Sequence, residues 1–198
     1  MNLSEFGIIA VALVALTSMI LSVGRDWRLG VSALGVQYVG VFVLILESWP
    51  LEMAIVKLVA GWIAASVLGL AMVGTVQEST PDRTPWISET AFRFFPAGLV
   101  ALTVYSLAPN VRLWFVSASR EQILGGLVLI CMGILHLGLT AQSWRTIFGL
   151  LTVFSGFEIL YATVETSVLV AGFLAVVTMG VSLAGAYLQV APEMEVEA

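Results

Sequence analysis

The feature that most constrains this chain is a succession of long apolar runs. Each approaches the roughly 20 residues that carry an α-helix across a bilayer. Seven such runs cover residues 6–24, 29–46, 53–76, 94–108, 122–141, 146–164 and 167–189. They are continuously apolar rather than alternating, which points to helices and away from barrel strands. Composition agrees. Of 198 residues, 60% are hydrophobic and 11% are charged, where a soluble domain averages about 25% charged. The expected fold is an all-α membrane protein, a bundle of seven transmembrane helices. Six is the alternative, because the fourth run is short and opens on "FFPAG".

No Pro-rich or Gly/Ser-rich linker divides the chain, so residues 1–198 read as one membrane domain. Four spans fill 1–108, three more fill 122–189, and 190–198 form an acidic tail with Glu193, Glu195 and Glu197. The opening "MNLSEF" has no Lys or Arg, unlike the basic start of a secretory signal, so 6–24 reads as a span. The connector 109–121, "PNVRLWFVSASRE", mixes Arg112 with Leu113, Trp114 and Phe115, a composition suited to the membrane surface. Trp27, Trp49, Trp86, Trp114 and Trp144 fall at span ends or in loops, where amphipathic rings prefer to sit, and Trp62 lies within a span.

Lys and Arg in short loops set orientation. Arg25, Arg28, Arg83, Arg93 and Arg145 gather on one side, against Arg112, Arg120 and a snorkelling Lys57 on the other. This places the N-terminus outside and the C-terminus in the cytoplasm, in the inner (plasma) membrane of the cell. Small residues recur at helical spacing as Gly61, Ala65 and Gly69, and as Gly149, Thr152 and Gly156. Such stripes let helix backbones approach closely.

Several function classes drop out. A net charge of −5 with 8 Lys and Arg is no nucleic-acid signature. Cys131 is the single cysteine, so no internal disulfide forms. P-loop, dinucleotide and H-E-x-x-H motifs are absent. One histidine and one cysteine cannot build a zinc site, an iron–sulfur site or a bis-histidine haem site alone. No cofactor is expected, and the chain is not expected to be an enzyme by itself.

What remains is a short list of ionisable groups inside spans. They are costly in lipid, about 3 kcal/mol each on insertion scales, and mark functional sites by default. Glu158 stands in "LTVFSGFEILYATVE", seven residues before Glu165 and so roughly 10 Å from it along a helix. That depth suits a proton carrier, or a protonated structural glutamate. Lys57 either snorkels to Glu52 or Glu47 or pairs with Glu158 inside the bundle. His136, late in the fifth span, is a candidate relay or a packing residue. Gln37, Tyr38 and Tyr161 read as interhelical contacts. The loop 77–93 and the acidic tail are the surfaces open to peripheral partners.

The last three spans, "QILGGLVLICMGILHLGLTAQSWRTIFGLLTVFSGFEILYATV", resemble the NuoK-type small membrane chain of respiratory complex I. There a short basic turn precedes a span in which a glycine and a hydrophobe stand just before an intramembrane glutamate. "SGFEIL" matches that acid with Glu158, and Arg145 matches the basic turn. The whole chain is similar to the HyfE-type component of energy-conserving hydrogenases, through "SWRTIFGLL" and Lys57 in "AIVKLVAGW". If "RTIFG" sets the register, the family glutamate falls at Phe154, one turn earlier. The family's second acid has no match in 167–189. The resemblance implies a cofactor-free membrane subunit of a complex I-like or hydrogenase-like respiratory assembly, seated beside antiporter-like subunits in the bilayer. It implies a proton or cation path through Glu158, with Lys57 as its charge partner, and His136 joins that path as the candidate cytoplasmic relay on its own chemistry. An independent small secondary transporter and a structural scaffold subunit are the alternatives.

Overall fold

A computed structural model of the chain describes residues 3–24, 26–75, 86–140 and 142–196. Arg25, Arg83, loop residues 77–85 and tail residues 197–198 lie outside the described residues. The described chain is all-helical, with seven helices: α1 (Leu3–Val23), α2 (Trp27–Ile45), α3 (Leu51–Thr75), α4 (Trp86–Val111), α5 (Arg120–Leu139), α6 (Ser143–Tyr161) and α7 (Val168–Val196). Among the described residues, α1, α2, α3, α5 and α7 are long and apolar enough to cross a membrane, and α4 contributes the shorter apolar stretch Phe95–Val111. The mean hydropathy of α6 is lowered by Arg145 and Glu158, both of which it buries in the bundle.

The surface is apolar where a soluble protein would be polar. Ile8, Leu16, Leu70, Leu102, Leu169 and Val176 are all exposed. The interior instead holds Gln37, Lys57, Gln122, His136, Thr152, Ser155, Glu158 and Thr178. This inversion fits a chain whose solvent is hydrocarbon, where polar groups must find partners inside the protein.

Successive helices alternate in direction. One end of the bundle gathers Gly7, Glu47 and Glu121, and there Trp49 Nε1 donates to the Glu165 carbonyl at 2.9 Å. At the other end Arg145 donates to the Gly24 carbonyl. Most neighbours in sequence pack together, but α4 packs on α5 and α1 rather than on α3, α3 lies against α7, and α6 touches α1, α2, α5 and α7. The α3–α7 pair is parallel: Lys57 meets Thr178, and one to two turns on Ser182 Oγ donates to the Ala64 carbonyl at 2.8 Å.

Three elements differ from the sequence expectation. The fourth helix begins at Trp86 rather than near 94, so Pro96 lies inside it, as does Pro109. Membrane helices tolerate such prolines because neighbours re-satisfy the freed carbonyls. The sixth helix runs from Ser143 to Tyr161 instead of 146–164. Arg145 is therefore not a loop charge. It is 5% exposed, stacks over Trp144 at 5.0 Å, and brings a cation to the C-terminal end of α1, where unpaired carbonyls favour one. The seventh helix stays helical to Val196, through most of the segment assigned to a tail.

The small-residue stripes serve two different contacts. A Cβ on Gly61 would come 2.3 Å from the Tyr38 ring, so α3 meets that ring with bare backbone. On α6, a Cβ on Gly156 would stand 2.6 Å from the Gly126 carbonyl of α5. Thr152 departs from this glycine face and accepts a long hydrogen bond from Gln37 on α2.

Candidate functional site

Lys57 begins the construction of the site. It sits two turns into α3, 3% exposed, so the snorkelling alternative does not hold. Its ammonium pairs with the Glu158 carboxylate and donates to Thr178 Oγ1 at 2.7 Å. The Thr178 hydroxyl in turn donates to the Leu174 carbonyl of its own helix at 3.0 Å. The ammonium lies 5.2 Å from the Tyr38 ring centroid and 5.6 Å from that of Phe154. Four helices thus converge on one cation: α3 supplies it, α6 the carboxylate and one ring, α2 the second ring and α7 the hydroxyl.

The helical period explains this convergence. Phe154 and Glu158 are four residues apart and share a face of α6. Both therefore address Lys57, and the two registers left open by the sequence lead to the same place. Lys57 and Gly61 are likewise four apart on α3. The missing side chain at Gly61 is what lets Tyr38 lie close beneath the ammonium.

The pair is sealed toward the Glu47 end. Met53 on α3, Ala162 after α6 and Ala171 on α7 each lie one or two turns nearer that end. With Trp49 and Ile159 they form one buried apolar cluster. Toward the other end a few polar groups are set within a second apolar cluster that includes Leu34, Leu68, Phe148 and Leu151. Tyr38 lies beside Ser155 and within electrostatic reach of Glu158. Gln37 is fully buried, its amide nitrogen 3.4 Å from Thr152 Oγ1, and its carbonyl oxygen has no hydrogen-bond partner among the described residues. Thr152, Ser155 and Glu158 are successive turns of α6, so this file extends about 9 Å.

Of the three expected site residues, the structure joins Lys57 to Glu158 and separates His136. His136 is 2% exposed and packs where a Cβ on Gly149 would meet its Cδ2 at 3.0 Å. Gly149 is nine residues before Glu158 on α6, about 13 Å along the axis. Tyr38 and Thr178 belong to the site and were not singled out for it by sequence. Their participation follows from which helices are neighbours, and spacing along one helix carries no such information. Among the described residues no group of three or more His, Cys, Asp or Glu could hold a metal ion.

No protein-family model matches the chain, no curated protein matches it, and no solved structure matches it.

Proposed function

We propose that this chain is a multi-pass membrane subunit of a complex I-like or hydrogenase-like respiratory assembly, and that Lys57 and Glu158 form a proton-handling centre within it. The observation that carries the reading is the buried Lys57–Glu158 pair at the junction of α2, α3, α6 and α7. Removing two charges from water costs several kcal/mol per ion, and a well-packed apolar pair is often as stable or more so. Fold stability alone is thus a weak reason to place an ion pair here. A carboxylate and an ammonium in contact can share and exchange a proton, and the file through Tyr38, Ser155, Gln37 and Thr152 offers a polar route to it. His136 stands farther along as a relay at the Gly24 end. The resemblance of "SGFEIL" and "AIVKLVAGW" to the NuoK-type and HyfE-type chains supports the same reading.

In this reading the bundle sits in the plasma membrane with its N-terminus outside and its C-terminus in the cytoplasm. Electron transfer belongs to partner subunits. Isolation of the native chain in mild detergent tests the assembly: large antiporter-like membrane chains and redox subunits should co-purify in fixed ratio. A stable solitary protein would refute membership. Infrared difference spectra of the assembly during turnover test the proton site. A carboxyl band absent from Glu158→Gln is expected, and identical spectra from the two proteins would count against it.

A further inference from the structure

The α4–α5 corner carries a feature unrelated to the ion pair. A groove of about 330 Å³ opens between the end of α4 and the start of α5, lined by Tyr105, Pro109, Arg112, Arg120 and Leu124 among others. Two arginines share this one groove, and neither makes an ion pair with a described residue. Like charges brought together in a partly apolar setting repel unless an anion lies between them.

The level of the groove in the membrane is set by the connector between the two arginines. Leu113, Trp114 and Val116 are 76%, 86% and 87% exposed, while Phe115 folds back onto the apolar cluster of α4, α5 and α6. Exposed aliphatic side chains beside an exposed tryptophan suit the boundary between headgroups and acyl chains. Arginine stems can lie along such a surface while their charged ends stay at headgroup depth. The planar guanidinium fork matches a phosphate better than a lysine does. Ala108, Ile123 and Leu124 provide an apolar wall for a hydrocarbon chain below it.

We propose that this groove binds an anionic glycerophospholipid, its phosphate held between Arg112 and Arg120 and an acyl chain laid along α4 and α5. The test uses the purified full chain, in its native assembly where it has one, with phosphatidylglycerol or phosphatidylcholine added to the detergent. Bound lipid is read by native mass spectrometry. Wild type should retain phosphatidylglycerol in preference to phosphatidylcholine. Combined Arg112→Gln and Arg120→Gln should weaken that retention by roughly 30-fold, given the usual contribution of each surface arginine to anionic-lipid binding. Arg28→Gln, an exposed arginine at the opposite end of the bundle, should leave it unchanged. Ala108→Phe, which fills the groove and keeps both charges, should also displace the lipid and covers the case of a double variant that does not fold. Equal retention of the two lipids would overturn the proposal. So would full retention by the double variant or by Ala108→Phe, or displacement by inorganic phosphate alone.

Discussion

Glu158 and Lys57 were legible as residues, because a charge inside an apolar run is conspicuous against its surroundings. Their pairing was legible only as one alternative, since a lysine near a span end can equally snorkel. The structure decides because α7 brings Thr178 to the same ammonium, and no spacing within α3 encodes that neighbour. A buried pair makes a specific stability prediction. Glu158→Leu alone strands the ammonium and should cost about 3–5 kcal/mol. Adding Lys57→Met should recover most of that loss, because two apolar side chains need no partners. Unfolding titrations of the two single variants and the double variant check this. A double variant as unstable as Glu158→Leu would show that the pair is not the relevant unit. Outside the membrane, Glu47 gives a pH prediction. Partial burial raises its carboxyl above the usual range and the nearby Glu121 adds to the rise, while a hydrogen bond from Ser119 offsets part of it. A raised acid binds its proton more tightly when folded. Its stabilising contribution is therefore complete below the unfolded value and lost as pH rises through the folded one. Glu47→Gln should flatten that part of the pH–stability curve in thermal melts across the acidic range. An unaltered slope would assign the dependence to other groups.

At the scale of elements, the apolar runs located all seven helices, with ends that moved by up to eight residues, most of all at the start of α4 and the end of α7. The fourth helix shows why. The apolar run opens on "FFPAG", yet the helix begins ten residues before Pro96, in a polar stretch that hydropathy alone does not mark. Glycine spacing was visible too, but not what each glycine faces. Gly61 and Gly156 occupy close contacts, whereas Gly180 has nothing within 4 Å of a built Cβ. Gly156→Ala should therefore push α6 from the α5 backbone at Gly126 and cost about 1–3 kcal/mol, as overpacking does. Gly180→Ala should be neutral or stabilising by up to about 1 kcal/mol, through helix propensity. Melting temperatures of the two variants compare them directly, and a reversed order would contradict the packing described here. Gly61→Ala should be felt at the site itself, because the Tyr38 ring would have to leave its place beside Lys57. The start of α5 is held differently, by a capping box between Ser119 and Gln122. Gln122 also donates to the Leu44 carbonyl at 2.9 Å and to Ser48 Oγ at 2.8 Å, which ties α5 to the end of α2.

At the scale of the whole molecule, the bundle is apolar outside and buries polar groups inside, several of them along α6 from Thr152 to Glu158. Antiparallel α5 and α6 set His136 beside Gly149, too far from Glu158 for direct contact, so any exchange between them needs intermediates along the polar file. The apolar cluster around Trp49 closes the Glu47 end, and Gln37 and Thr152 extend the line toward the end where Arg145 meets Gly24. In the proposed function Glu158 carries protons. Its most direct test is proton uptake by membrane vesicles bearing the assembly with Glu158→Gln, at subunit content matched to wild type. Electron transfer should stay intact while the coupled proton flux falls on the order of 100-fold, the usual effect of losing a positioned proton-transfer group. Unchanged flux in a fully assembled Glu158→Gln complex would contradict it.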